Sequence, residues 1–479
     1  MSAGQPNILV FLTDDHGQWA ANCYGATEIR SPNLDRLADT GVRMTRAYTP
    51  SPVCSPARAC FFTGRFPSQH GMHDWLGETG AEKSPDLSSQ TTIAELLQQS
   101  SYETALIGKW HCGGSQHPQP GFDRWFSYWD NQYPHCGEQC FNDQGRQVTE
   151  HGHQASLFTD RVIDYLRGRD TQKPFFMLAG YVNTHSPWAN QPERLVEHYR
   201  HCTFNDIPDE DTWSRHPGTV LPVPDDPAAF REQLAQYYAG VTMIDEQIGR
   251  IIDELESSGQ LADTLIVYTA DHGHMCGHHG LFGKGNATTP QNLLDESIMV
   301  PCILSWPERL PSGRECDAMV DHCDLFATVL DAAAATPAED TLAQINSPGR
   351  SYLPLLTGET SAWRQSQCCE YGNARMIRTD RYKLLRRYPS GGIQSGDELY
   401  DLHEDPRETV NRISDTKLSE IVETLSNRLD EFFRDHEIPE HSGKRIDEQP
   451  VCNNDMPWAR HPDGIAELRE RLKRTWREK

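Results

Sequence analysis

A cysteine, a small residue, a proline and, four positions after the cysteine, an arginine stand together in Cys54-Ser55-Pro56-Ala57-Arg58, within the stretch from Ser51 to Arg65. Proline is at home in the first turn of a helix, so the spacing predicts a helix that starts at Cys54. A helix N-terminus offers backbone N–H groups to an anion. A thiol placed there has a depressed pKa and can act as a nucleophile. A second set is acidic: Asp14-Asp15 and Asp271-His272 supply three carboxylates and one imidazole. Hard oxygen donors suit Ca2+, Mg2+ or Mn2+, and an imidazole moves the preference toward Mn2+. A third set is cationic: Lys109 and His111 after Gly108, His185 between Thr184 and Ser186, and Lys284 between Gly283 and Gly285. Alone, each residue has an ordinary reading. An aspartate after a strand caps a helix, a loop lysine is solvated, and a histidine after a strand packs.

The elements that must position these groups can be read from apolar runs and punctuation. Residues 7–13 are a continuous apolar run that ends in two carboxylates, which reads as a buried parallel strand. Strands are also expected from Tyr102 to Gly108, at 174–182, at 264–270 and at 299–304. Helices are expected at 31–41, 91–99, 157–168, 230–258 and 323–335. This alternation predicts an α/β fold with a large, mostly parallel sheet sandwiched by helices. The polar clusters fall where strands end, and sites in open α/β sheets form beyond the carboxyl ends of strands. After about residue 355 the texture changes to a hairpin turning near Thr379-Asp380, a strand from Glu398 and a helix at 416–434. The expected division is therefore a catalytic domain over 1–355 and a smaller C-terminal α+β domain over 356–479, with an irregular loop at 436–466 and a charged helix at 465–478.

Composition excludes several classes. The 479 residues carry a net charge of −25, which opposes nonspecific binding to nucleic acid and docking on anionic lipid. An anionic substrate would need a locally positive site. No apolar run is long enough to span a membrane, and the short run at Ile8–Leu12 does not read as a signal peptide. A cytoplasmic location with reduced thiols is the expectation for the 14 cysteines.

The motif Cys54-x-Pro56-x-Arg58, with Thr63-Gly64-Arg65 behind it, resembles the maturation motif of the type I sulfatases of the alkaline-phosphatase-like superfamily. The other clusters follow in that family's order, from Asn7 to about Asn411. The resemblance implies hydrolysis of a sulfate ester (aryl, carbohydrate or small alkyl) by a formylglycine hydrate made from Cys54. It implies one divalent metal ion, usually Ca2+, held by Asp14, Asp15, Asp271, His272 and an oxygen of the converted Cys54. Many relatives carry Asn where this chain has His272. The histidine keeps open a phosphonate monoester or phosphodiester hydrolase on the same scaffold. Arg58, Lys109, His111, His185 and Lys284 match the family's catalytic positions. His185, assisted by Lys284, is implied as the acid at the leaving oxygen, and His111 as the base that regenerates the aldehyde. The implied partners are a small-molecule or saccharide sulfate ester and the formylglycine-generating enzyme, with no nucleic acid and no membrane; a homo-oligomer is left open.

Two further clusters invite metal readings. His135, Cys136 and Cys140 could form a small metal or disulfide site, although the spacing is not the usual one. The stretch from His272 to His279 holds five His or Cys residues but matches no structural-zinc spacing, so His274, His278 and His279 are expected along the pocket wall near Lys284. Trp19, Trp75, Trp110, Trp125 and Trp188 lie near pocket-forming segments, where they could stack on a ring or pack the core.

Overall fold

The computed structural model describes residues 5–77, 85–130, 133–208, 218–335 and 338–460, with positions 464, 467 and 468. A ten-stranded sheet runs in the order Arg314–Cys316, Val42–Met44, Cys302–Ser305, Thr264–Ala270, Asn7–Thr13, Phe175–Gly180, Glu103–Gly108, Arg124–Tyr128, Cys136–Asp143 and Arg146–His153. The five strands from Thr264–Ala270 to Arg124–Tyr128 are parallel to one another. Asn7–Thr13 sits in the middle, and Phe11 pairs with Tyr268 on one side and Ala179 on the other. Its residues alternate between two cores, as the two-residue period of a strand requires. Leu9 and Phe11 face the helices Pro227–Ser257 and Gln154–Gly168, while Ile8, Val10 and Leu12 face Cys54–Thr63 and His322–Ala332. Burial on both faces explains the unbroken apolar run.

Two edges differ from the expected pattern. Cys302–Ser305 lies beside Thr264–Ala270 but runs antiparallel to it. The hairpin Cys136–Asp143 with Arg146–His153 extends the other edge antiparallel, and nothing in its polar sequence announced two strands. It also corrects the metal or disulfide reading there. Cys136 and Cys140 sit four residues apart on one strand, roughly 13 Å along it, too far for a bridge. The buried His135 instead accepts from Gln191 Nε2 at 2.9 Å.

The C-terminal part forms a four-stranded antiparallel sheet, Gln367–Tyr371, Ala374–Arg378, Tyr382–Arg387 and Glu398–Asp401, crossed by the helix Ser419–His436. The expected boundary at 355/356 falls inside a short helix, Leu353–Thr357. Residues 436–460 wrap irregularly over the sheet, and Trp458 packs edge-on against Tyr371 at 5.7 Å. The expected terminal helix at 465–478 lies almost wholly outside the described residues. No described helix is long and apolar enough to cross a membrane.

Candidate active site

Four chain segments meet at the carboxyl ends of the central strands. Asp14 and Asp15 follow Thr13, Lys109 and His111 follow Gly108, and Asp271 and His272 follow Ala270. The fourth is the helix Cys54–Thr63, whose ten residues are all buried and whose first residue is Cys54 itself. Val53 before it is extended, so the first-turn amides of Cys54 and Ser55 have no intrahelical acceptor, and Pro56 brings no third N–H to satisfy. Asp15 and His111 both adopt left-handed backbone, with φ of 53° and 58°. Non-glycine residues held there store strain of about 1–3 kcal/mol, which clusters at functional sites.

Around Cys54 the polar groups are close. Its sulfur lies 3.1 Å from Lys284 Nζ, 3.3 Å from His272 Nε2 and 3.4 Å from Asp14 Oδ1. Burial pushes the thiol up, but Lys109, Lys284 and His272 outweigh it and hold the pKa well below the ordinary value. Burial and the Cys54 sulfur also push Asp14 up, yet Lys109, His185 and Arg58 hold it below the usual carboxylate range. Asp271 is pushed up to about 7 by burial and by the charge of Asp14. Lys109 Nζ makes a short ion pair with Asp14. Arg58, fully buried, donates through Nε to Asp271 Oδ2 at 2.9 Å and through Nη1 to the Lys109 carbonyl at 3.0 Å. One guanidinium thus ties the ends of two strands to the helix that carries Cys54.

The histidines are set differently. His111 donates from Nε2 to the Leu76 carbonyl at 2.9 Å, which leaves Nδ1 as the lone-pair nitrogen. Burial and then Lys109 lower its pKa to about 4, so the ring is neutral near pH 7. His185 donates from Nδ1 to the Ser186 carbonyl at 2.7 Å and keeps Nε2 for another partner. His272 donates from Nδ1 to the Gly273 carbonyl at 2.8 Å, which presents Nε2 to the cluster.

Asp14, Asp15, Cys54 and His272 each offer a ligand atom, and all four atoms lie within 4.8 Å of one another. The residues present therefore fit a small cation. Asp271 stands beside them, with Oδ1 at 3.4 Å from His272 Nε2, while its other oxygen is engaged by Arg58. The structure thus brings Asp14, Asp15, Cys54, Arg58, Lys109, His111, Asp271, His272 and Lys284 into one buried cluster, with the half-buried His185 close enough to act on Asp14. His274, His278 and His279 are buried, and His274 is close enough to the cluster to feel the charges of Asp15 and Lys284. His274 stacks on Tyr237 at 5.4 Å, His278 packs against Trp19 at 4.9 Å, and His279 pairs with Glu296 at 3.2 Å. Trp110 and Trp125 are buried against each other and Phe122. One neighbour escaped the sequence reading: Tyr133 lies with its ring face 4.3 Å from Lys109 Nζ and edge-on to both His111 and His185. A lone tyrosine in a loop carries no signal that would have found it.

This arrangement suits transfer of a small tetrahedral anion: a nucleophile position at a helix N-terminus, three fixed cations, a cation site and two histidines in different tautomers. A 29% identical relative, an N-acetylglucosamine-6-O-sulfatase of Bacteroides thetaiotaomicron, aligns over 89% of this chain and 86% of its own length. Human steryl-sulfatase is 28% identical over 78% of this chain and 73% of its own. A structure solved with its substrate D-glucosamine-2-N,6-O-disulfate superposes with a TM-score of 0.78 at 26% identity, covering 90% of this chain and 98% of that one. A phosphonate monoester hydrolase of Agrobacterium radiobacter shares the fold at a TM-score of 0.71 and 20% identity, over 90% of this chain and 96% of its own. The C-terminal model of N-sulphoglucosamine sulphohydrolase matches residues 277–435. The sulfatase family model matches residues 6–335, well over half of the chain and every residue of the cluster around Cys54, so the chain belongs to the sulfatase family and is a sulfuric ester hydrolase of the alkaline-phosphatase-like fold.

Proposed function

We propose that the chain hydrolyses the sulfate ester of a saccharide, with Cys54 converted to formylglycine. The observation that carries this reading is Cys54 at a buried helix N-terminus within hydrogen-bonding reach of Lys284, His272 and Asp14. The saccharide is supported by the likeness to the N-acetylglucosamine-6-O-sulfatase and to the structure that holds a glucosamine disulfate. Hydrated formylglycine would supply a hydroxyl nucleophile that an unconverted thiol does not. A hard divalent ion, Ca2+ or with the imidazole Mn2+, would be held by Asp14, Asp15, Asp271, His272 and an oxygen at position 54, and would supply Lewis acidity and orientation.

The roles of the chain's own residues follow from their hydrogen bonds. Arg58 holds Asp271 and the Lys109 carbonyl in place, so that the acidic and cationic strand ends keep one geometry. Lys109 and Lys284 bring positive charge to the sulfuryl oxygens, where negative charge builds in the transition state. This local field overcomes the acidity of the chain as a whole. His185, when protonated, gives the Nε2 proton to the departing alcohol oxygen. Neutral His111 takes a proton at Nδ1 from the residue-54 hydroxyl when sulfate is expelled. Each such transfer is typically worth 10²–10⁴-fold.

A substrate panel tests the reading: 2-, 3- and 6-sulfated monosaccharides, choline sulfate and 4-nitrophenyl sulfate. A saccharide sulfate is expected to give the highest kcat/KM. A chain that turns over only the aryl or choline ester refutes the saccharide assignment. His272 supports a second reading, hydrolysis of phosphonate monoesters or phosphodiesters, and a phenylphosphonate ester assayed beside the sulfates separates the two.

A further inference from the structure

The cluster contains one donor that a hard-cation site would not choose. Cys54 brings sulfur, His272 brings nitrogen, and Asp14 and Asp15 bring one oxygen each. A sulfur, a nitrogen and two oxygens suit zinc, which is bound tetrahedrally at about 2.3 Å from sulfur and about 2.0–2.2 Å from nitrogen or oxygen. A regular tetrahedron with bonds of about 2.0–2.3 Å has edges of about 3.3–3.8 Å. The Cys54 sulfur is 3.3 Å from His272 Nε2 and 3.4 Å from Asp14 Oδ1. His272 Nε2 is 3.3 Å from Asp15 Oδ1 and 3.8 Å from Asp14 Oδ1. Four edges of a zinc-sized tetrahedron are thus already in place. The ring is oriented as well, because the Nδ1 hydrogen bond of His272 to the Gly273 carbonyl turns Nε2 toward the other three donor atoms.

A cation is accommodated at the rim of this tetrahedron. The Lys284 ammonium sits on one face, 2.5 Å from Asp15 Oδ1, 3.1 Å from the Cys54 sulfur and 3.3 Å from His272 Nε2. Lys109 and Arg58 back the Asp14 carboxylate from the other side. These three cations balance the two carboxylates and a Cys54 thiolate, so a dication is held only where its bonds to sulfur, nitrogen and oxygen outweigh the repulsion from Lys284.

We propose that the chain with Cys54 unconverted is a site for a borderline d-block dication of the Zn2+ type, bound by Cys54, His272, Asp14 and Asp15, and that conversion of Cys54 retunes the same pocket to a hard cation. The proposal rests on the reading that the active form carries formylglycine. The metal bond forms from a sulfur lone pair of Cys54, and any proton still on that sulfur leaves to solvent. Conversion replaces sulfur by oxygen, which removes the softest donor and with it the preference for Zn2+ over Ca2+ or Mg2+. The maturation state of one residue then decides which metal the pocket takes.

The test uses the full chain produced without a maturing enzyme, shown by intact mass to keep the Cys54 thiol, and stripped with a chelator. Equilibrated with equal Zn2+ and Ca2+ and then desalted, it is expected to retain one Zn2+ per chain and no Ca2+ by elemental analysis. Co2+ in place of Zn2+ is expected to give the near-ultraviolet thiolate-to-cobalt band. Cys54→Ser is expected to lose that band and to weaken Zn2+ by at least about 100-fold, because a ligand itself is lost and even groups that only hold a ligand in place cost about 10–100-fold. His272→Asn is a second variant and is expected to weaken Zn2+ by at least about 10-fold with the band still present at saturating Co2+. Retention of Ca2+ over Zn2+ by the unconverted chain, or a cobalt band that persists in Cys54→Ser, overturns the proposal. Neither readout involves turnover, so a converted chain that fails to hydrolyse sulfate esters would refute the functional reading and leave this one standing.

Discussion

Asp14, Asp15 and Asp271 converge with Cys54 at the strand ends, where Arg58, Lys109 and Lys284 face them from three directions. Under the small sheet a second buried network pairs charges nearly one to one. Arg375 donates through Nε to Glu370 at 2.9 Å and through Nη2 to Glu437 at 2.6 Å, and Ser68 adds two hydrogen bonds to Glu370. Lys383 pairs with Asp295 and Glu408, and Arg378 with Asp295. Both networks are buried, yet they do different work. In the second, opposite charges alternate, and the hydrogen bonds of Ser68 join the strand Gln367–Tyr371 to the short helix Pro67–His70. In the first, like charges are held together, which moves Asp271 up to about 7 while Asp14 stays low, and the second holds a similar pair, with Glu408 pushed up to about 7 by burial and Asp295, though buried, held low by Lys383 and Arg378. Opposed shifts alone therefore do not mark a site, because structural ion-pair networks perturb pKa values too; what sets the first network apart is Cys54 at a helix N-terminus among the strand ends.

The sharpest separation of the two networks comes from Cys54→Ala. The residue is a nucleophile position and fills little core, so turnover should fall by about 10⁴-fold or more, the scale of losing a nucleophile. Thermal unfolding should shift by only a few degrees. Activity near the wild-type level would remove Cys54 from the chemistry. Next in size, His185→Ala should slow saccharide sulfates by about 10²–10⁴-fold while barely affecting 4-nitrophenyl sulfate, whose leaving group needs no proton. Equal losses on both substrates would take the acid role from His185. By contrast, Arg375→Met should leave kcat of the folded enzyme unchanged and destabilise the fold by about 3–5 kcal/mol, because Glu370 would stay buried without its partner. Denaturant unfolding measures this, and a loss of kcat without a loss of stability would mean that the two networks are coupled.

The site was more legible in the sequence than the edges of the fold. The run from Asn7 to Thr13 declares a central strand because both of its faces are buried, and its two closing carboxylates declare the place where function gathers. The helix from Cys54 is announced by Pro56 and closed by Gly64, which takes φ of 65°. The direction of Cys302–Ser305 was not legible, since a short buried strand has the same composition whichever way it runs. The hairpin Cys136–His153 was missed because much of it is exposed and its polar residues show no clean alternation. For His274, His278 and His279 only their density along the chain was legible. In the structure their rings pack on Tyr237 and Trp19 or pair with Glu296, while His274 Nε2 has no hydrogen-bond partner among the described residues. Tyr133 reaches Lys109 only through tertiary folding.

The last prediction concerns buried histidines that the proposed chemistry does not use. Burial lowers the pKa of His135 and His274 to about 3, and that of His16 and His322 to about 4. In the folded chain these rings are neutral, whereas in the unfolded chain they take up protons near pH 6.5. The sign follows: their contribution is fully present above pH 6.5 and is lost as the pH falls toward the folded values. Each group costs about 1.4 kcal/mol per pH unit in that window, so the four together cost roughly 5 kcal/mol per unit. A stability of about 5–15 kcal/mol would then be exhausted between about pH 5.5 and 3.5. Far-ultraviolet circular dichroism against pH should show cooperative unfolding in that range. In His135→Gln the slope of stability against pH should be shallower by about 1.4 kcal/mol per unit, the contribution of one proton. The wild-type chain still folded at pH 3.5, or an unchanged slope in the variant, would show that these buried rings are not what limits the molecule in acid.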